Sequence, residues 1–307
     1  MYVLFDASYL CYRSFHSNSK IGKDGRVTGL CYNGIGTGMA YGTIQTLFYL
    51  FTKYKWASNQ VAFVWDDKPQ WKFDLYPDYK KGRKKENHPP LMSISTQFKM
   101  TKLLLGFIGV PWITAVGEES DDILRTVSLK LSQAGQQVYV VGNDHDLYQC
   151  LNPLVKLMRL HQNKPEEIYT DAMFSDDYDG TLPEDYAFIQ ALGGCNTDKV
   201  PGMNGIGADP GSDTPKKIVA MNPFNKIRMN DPSLVFPDNR TENAFRKNFD
   251  TWNFERDYKL VRCKTDVKYE LHKFDFNGEK LREWFVKLAF QHFLLPNHFQ
   301  RIVEIFS

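Results

Sequence analysis

Short, mainly apolar runs that stop at acidic residues recur along the first half of the chain. Tyr2-Val3-Leu4-Phe5 stops at Asp6, and Val61-Ala62-Phe63-Val64-Trp65 stops at Asp66-Asp67. Pro111-Trp112-Ile113-Thr114 leads to Gly117-Glu118-Glu119, and Val138-Tyr139-Val140-Val141 runs into Gly142-Asn143-Asp144-His145-Asp146. Between them lie stretches of helical period. These are Ala7 to Phe15, Met39 to Tyr54 with Ile44, Leu47, Phe48 and Phe51 on one side, and Phe98 to Ile108. Another starts at the acidic group, with Leu124, Val127 and Leu131 sharing a face. Strand and helix in this alternation predict an α/β chain with a central, mostly parallel sheet flanked by helices. Strands apolar along their length fit cover on both faces. The glycine-rich stretch Ile21 to Gly38 reads as a mobile loop.

In such sheets, ligands bind beyond the carboxyl ends of the strands. A single strand-ending Asp is ordinary, because turns favour it, and acids at a helix start complement the helix dipole. Here Gly117 to Leu124 holds four carboxylates within five residues, more than a dipole needs. Asp6, Asp66, Glu119, Asp121, Asp122, Asp144 and Asp146 are therefore expected to converge in one cleft. So many carboxylates together repel and raise one another's pKa unless cations sit among them. Oxygen ligands with no histidine or cysteine cluster select Mg²⁺, with Mn²⁺ as a substitute, over zinc. His145, a lone histidine in this group, reads as a supporting or surface residue.

The net charge of +2 hides an asymmetry, because cations crowd between Lys68 and Lys85. Lys72, Lys80, Lys81, Arg83, Lys84 and Lys85 alternate there with Trp71, Phe73, Tyr76 and Tyr79. Such a pattern also occurs in solvated loops, but starting beside Asp66-Asp67 it fits a nucleic-acid strand, with cations on phosphates and rings on bases. Lys80 and Arg83 are placed to offset charge developing on a reacting phosphate. The stretch from about residue 80 to 100, broken at Pro89-Pro90, is expected to gate the cleft.

The five cysteines are scattered with no C-x-x-C pair, which argues for reduced thiols in a cytoplasm and against a zinc site or disulfide framework. No apolar run is long enough to span a bilayer and no signal peptide opens the chain, so no membrane partner is expected.

The second half reads as helical. Tyr186 to Leu192 precedes a glycine-rich loop with Gly193, Gly194, Gly202, Gly205 and Gly207. Its exposed backbone suits a phosphate backbone. Asp198 in that loop is a further candidate ligand, and Lys216 and Lys217 open the next helix as candidate duplex contacts. Pro223 to Asn239 reads as loop, and Asn243 to Val261 and Glu279 to Leu295 as amphipathic helices.

The ordered set Phe5-Asp6, Val64-Trp65-Asp66, Tyr79-Lys80 with Arg83, Glu119-Ser120-Asp121-Asp122, Asp144-His145-Asp146-Leu147, and Asp198-Lys199-Val200-Pro201-Gly202 with Gly205-Ile206-Gly207 resembles the flap endonuclease/5′-3′ exonuclease family. The likeness is greatest to its compact bacteriophage members and covers about two-thirds of the chain. The resemblance implies a PIN/5′-nuclease-like domain over residues 1–182 and a helical, DNA-gripping region with a helix–three-turn–helix over 183–307. It implies two-metal hydrolysis at 5′ ends or flaps, with Asp6, Asp66, Glu119, Asp121 and Asp144 on one metal and Asp122, Asp146 and Asp198 on the other. It also implies an arch after Arg83 and a K⁺ ion near the three-turn loop. The expected partner is branched or nicked duplex DNA with a 5′ end or flap, and also RNA–DNA hybrid. A single-strand-binding protein, polymerase or clamp is a further expected partner, and the chain is expected to be a monomer in the cytoplasm, a host cell's if the protein is of phage origin. Two positions depart from the family pattern. Cys195 stands where Asp is usual, and Ala208 to Pro215 replaces a Lys-Thr pair. Two rival readings are a catalytically impaired structure-specific DNA-binding protein, motivated by Cys195, and a PIN-type ribonuclease.

Overall fold

The computed structural model describes residues 1–21, 27–82, 93–162, 164–207 and 213–307. They form two compact units, each assembled from separated stretches. One takes Met1–Asp66, Lys84–Ala115 and Lys268–Ser307; the other takes Asp67–Arg83 and Val116–Val267. Compactness therefore divides the chain differently from a single cut near residue 182.

In the first unit, with elements numbered along the chain, β1 (Tyr2–Asp6), β6 (Val61–Val64) and β7 (Trp112–Thr114) lie parallel, and β11 (Glu270–His272) closes the edge antiparallel to β7. Both β1 and β6 are buried nearly throughout, as expected of strands covered on two faces. Helices α1 (Ala7–Asn18), α2 (Gly38–Tyr54) and α4 (Ile94–Ile108) pack with one another beside the sheet, and Phe5 stacks on Phe63 with centroids 5.0 Å apart. α4 starts a turn earlier than periodicity implied, because the Ser93 hydroxyl caps it by accepting from Thr96 N at 3.1 Å. Helices α12 (Gly278–Lys287), α13 (Gln291–Leu294) and α14 (Pro296–Phe306) complete the unit.

The glycine-rich stretch is not only loop. β2 (Ser19–Ile21) pairs with β3 (Val27–Gly29), and β4 (Cys31–Tyr32) pairs with β5 (Ile35–Gly36). The second hairpin turns at Asn33 and Gly34, both left-handed at φ 49 and 77. Asn-Gly is the preferred pair for such a two-residue turn.

The second unit holds α3 (Gln70–Leu75), α5 (Ser120–Gln133) and a second group of strands. β8 (Val138–Val141) is parallel to β9 (Val155–Arg159), and β10 (Glu167–Tyr169) is antiparallel to β9. A tight 3₁₀ turn, His145–Cys150, follows β8. Helices α6 (Asp171–Asp177), α7 (Tyr186–Gly193), α8 (Thr214–Met221), α9 (Phe224–Arg228), α10 (Asn239–Asn248) and α11 (Phe254–Val261) follow. Two expectations change here. The stretch read as loop from Pro223 contains α9, and the single helix expected over Asn243 to Val261 is two. The break falls at Phe249–Asn253, where the Asn253 side chain caps α11 by accepting from Arg256 N. Leu192, Met203, Ile206, Ile218 and Phe245 form the core of this helical part. No helix among the described residues is long and apolar enough to cross a membrane.

Candidate active site

In the second unit the acidic side chains meet two lysines and a tyrosine. Glu119 is the residue before α5, with extended backbone and no capping bond from its side chain, so its carboxylate turns elsewhere. Its Oε2 accepts from Lys72 Nζ at 2.6 Å and from the Tyr79 hydroxyl at 2.9 Å, while Lys80 Nζ bonds Oε1. The Tyr79 hydroxyl also lies 3.1 Å from Asp198 Oδ2, and Lys80 Nζ lies 3.7 Å from the same oxygen. Lys80 is held in the left-handed region (φ 53) with its backbone N–H on Asp198 O at 2.9 Å. Burial alone would raise the Glu119 pKa, but the charges and hydrogen bonds of Lys72 and Lys80 outweigh it and hold the pKa down to about 2. This ion-pair stability is present above the ordinary carboxylate range and is lost as pH falls through about 2.

Asp122, in the first turn of α5, is 1% exposed. Its Oδ1 accepts from Lys264 N at 2.7 Å. Its Oδ2 is buried without a hydrogen bond, and Lys72 Nζ stands 3.9 Å away. Burial raises its pKa against the pull of Lys72. The strand of chain that supplies Lys264 N is itself pinned: Gln149 bonds Val261 O and Cys263 N, both at 2.9 Å, and Thr126 bonds Lys264 O at 3.1 Å. Lys264 Nζ holds Glu118 at 2.6 Å. Asp121 is half-buried in the same first turn.

Asp144 is exposed and caps the 3₁₀ turn, accepting from Asp146 N at 3.2 Å. Asp146 takes a hydrogen bond from Gln190 Nε2. Burial first, then the charge of Asp144, and further Asp198, push the Asp146 pKa well up from the carboxylate range. A carboxyl raised in the folded state stabilises the fold at low pH, and that contribution is lost as pH rises through the shifted value. Asp146→Asn is accordingly expected to raise the melting temperature of chelator-treated protein at pH 8 by a few degrees and to leave it little changed at pH 4. Equal effects at both pH values would reject this account.

In the first unit, Asp6 ends β1 and Asp66 follows β6, on the same edge of two neighbouring parallel strands. Asp6 caps α1 through Tyr9 N at 3.0 Å, and Ser8 Oγ bonds Asp66.

The described part of the glycine-rich loop, residues 194–207, forms a tight turn after α7. Cys195 and Val200 bridge through both backbone bonds, at 2.9 and 3.0 Å, and Met203 N bonds Leu192 O at 2.8 Å. Gly202 is left-handed (φ 68), and a Cβ there would stand 2.3 Å from Gly194 N. Gly207 approaches Gly193 as closely, whereas Gly205 has room beside Ala244. The Cys195 thiol is 3.1 Å from the Thr197 hydroxyl.

The basic segment differs from its reading as one DNA-facing surface. Lys72 is 6% exposed and belongs to the carboxylate cluster, because α3 turns it inward onto Glu119. Lys81 is exposed and pairs with Asp78 at 2.7 Å, Lys216 lies 3.6 Å from Asp179, and Lys217 is exposed. Arg83, Lys84, Lys85 and the rest of residues 83–92 of the expected gate, and residues 208–212 beside the expected K⁺ site, lie outside the described residues.

The second unit thus joins Glu119, Asp122 and Asp198 through Lys72, Lys80 and Tyr79, and Asp146 through charge. Among the described residues no three His, Cys, Asp or Glu side chains stand ready to hold a metal ion. The donor chemistry nevertheless fits a hard divalent cation: oxygen-only groups, one buried oxygen of Asp122 without a hydrogen bond, and the Asp146 carboxyl raised by burial first and then by the charge of Asp144. Tyr79, read in the sequence as a ring for bases, is instead 1% exposed with its hydroxyl on Glu119 and Asp198, and Gln190 and Lys264 were passed over. Only Tyr79 carried a signal, by preceding Lys80.

Residues 1–179 match the family described as 5′-3′ exonuclease, N-terminal resolvase-like domain. The chain belongs to the 5′-3′ exonuclease family. It is a nuclease, a hydrolase of phosphodiester bonds, whose described part is an α/β fold with a mostly parallel sheet and a helical C-terminal half. It is 26% identical over 262 residues to the 5′-3′ exonuclease of Buchnera aphidicola subsp. Schizaphis graminum, covering 85% of this chain and 83% of that one. The exonuclease fold is shared with the T5 D15 protein co-crystallized with metal ions (TM-score 0.62, 16% identity, 99% of each chain). It is shared too with the bacteriophage T5 D15 flap endonuclease pseudo-enzyme-product complex with DNA and metal ions (TM-score 0.59, 17% identity, 99% of this chain and 98% of that one).

Proposed function

We propose that this exonuclease-family chain is a structure-specific 5′ nuclease that cleaves 5′ flaps and ends of branched or nicked duplex DNA, and RNA–DNA hybrids, with two Mg²⁺ ions. The observation that carries the reading is the buried carboxylate group around Glu119, balanced by two ammonium groups in one unit. Asp144, Asp146, Asp198, Glu119, Asp121 and Asp122 would hold the ions there. Bound there, divalent ions would make a water more acidic and offset negative charge on the reacting phosphate. Lys80 carries positive charge at the cluster and offsets the charge that develops on the phosphate. Tyr79 keeps Glu119 and Asp198 at fixed separation by lying between them. The Gly202 to Gly207 turn presents backbone N–H groups to the duplex, and exposed Lys217 adds charge.

Asp144→Asn tests the reading. Mg²⁺-dependent cleavage of a 5′-labelled flap substrate is expected to collapse while duplex binding persists; unchanged cleavage rejects the assignment of Asp144. The same assay run on single-stranded RNA beside the flap separates this reading from a PIN-type ribonuclease.

A further inference from the structure

We infer that Lys72 is a built-in counter-cation that holds Glu119 and Asp122 assembled before divalent ions bind and competes with those ions for the same carboxylates. The inference rests on the metal-site reading above and adds a residue that sets the affinity of that site.

Lysine is almost never fully buried unless it is paired. Lys72 is 6% exposed, and the carboxylates nearest to it are 7% (Glu119) and 1% (Asp122) exposed. Its ammonium lies 2.6 Å from Glu119 Oε2 and 3.9 Å from Asp122 Oδ2, an oxygen with no hydrogen bond. The rings of Trp71 and Tyr79 flank it, with centroids 5.5 and 5.6 Å away. The buried Cys263 thiol and Asp146 also sense its charge. This geometry leaves the ammonium no route to a phosphate without abandoning Glu119. A single positive charge between two carboxylates does what a bound cation does, at half the charge of Mg²⁺. It therefore suppresses the repulsion that would open the site in metal-free protein. Because it sits against the oxygens a metal would use, it also opposes metal binding.

The experiment uses the full chain, wild type, Lys72→Met and Lys72→Arg, melted in EDTA and in Mn²⁺, with Mn²⁺ affinity measured by calorimetry. Lys72→Met is expected to melt several degrees lower in EDTA and to gain more from Mn²⁺ than wild type. Mn²⁺ is expected to bind the variant about tenfold more tightly, as linkage between binding and stability requires. Lys72→Arg, which keeps the charge, is expected to stay near wild type in both arms. A Lys72→Met deficit of the same size with and without Mn²⁺ assigns Lys72 to packing alone and overturns the inference, as does weaker Mn²⁺ binding. If Lys72→Met is too unstable to melt, Lys72→Met combined with Glu119→Met removes both charges; recovery of stability in EDTA supports the inference, and no recovery overturns it. If wild type itself gains nothing from Mn²⁺, it is the metal-site reading that fails, and the counter-cation role falls with it.

Discussion

Replacing Glu119 by glutamine is expected to lower the melting temperature by about 5 °C or more and to cut divalent-dependent cleavage on the order of 10³-fold. The stability loss follows from what the substitution leaves behind. Lys72 and Lys80 both bond this carboxylate, and the side chains of Glu119 and Lys72 are 9% and 7% exposed. Removing one partner of a buried pair leaves an uncompensated charge, a loss of about 3–5 kcal/mol. Asp122 at 3.9 Å from Lys72 recovers part of it, and Lys80, with more of its side chain at the surface, can turn to water. A net loss of about 3 kcal/mol remains, worth roughly 2–4 °C per kcal/mol in a domain of moderate size. The activity loss has a separate origin, since a neutral amide is a poor ligand for a hard cation and several kcal/mol of transition-state stabilisation go with it. Thermal melts and cleavage of a labelled flap measure the two effects independently. A variant as stable as wild type would show that the two lysines do not depend on Glu119.

Gly202→Ala is expected to reduce affinity for duplex DNA by at least about tenfold, with a smaller effect on cleavage of a short single strand. The residue is left-handed, and its missing Cβ would stand 2.3 Å from Gly194 N and 2.7 Å from Gly193 C. Those are backbone atoms of the facing arm of the turn, so no side chain can rotate away. Left-handed backbone adds about 1–2 kcal/mol for any residue with a Cβ. The turn must open, and the backbone N–H groups proposed to meet the duplex move with it. Gly205→Ala is the control for the close approach alone: Gly205 is left-handed too (φ 78), but its nearest neighbour would be the Ala244 Cβ at 3.6 Å. Electrophoretic mobility or fluorescence anisotropy on blunt duplex reads the difference. Equal effects from the two substitutions would remove the close approach as the cause.

The sequence by itself determined the α/β architecture. Short apolar runs alternating with helical period leave few other arrangements, and the buried β1 and β6 with Asp6 and Asp66 at their ends follow that pattern directly. It also marked the acidic opening of α5 and the acidic turn after β8, because strand ends and helix starts are local features. The hairpin at Asn33-Gly34 was missed, because glycine content makes the whole stretch from Ile21 to Gly38 read as loop, although Asn-Gly is a local turn signal. Other features depended on residues far apart in the chain. β9 and β10 depend on pairing across the sheet rather than on strong local pattern. The inward turn of Lys72 depends on Glu119, 47 positions later, and the Tyr79 link on Asp198, 119 positions later. Periodicity reads neighbours along the chain, whereas burial of a charge is decided by which distant partner folding brings to it. That is why a lysine in a basic run reads as a phosphate contact in sequence and stands in the structure as the counter-charge of an acidic cluster.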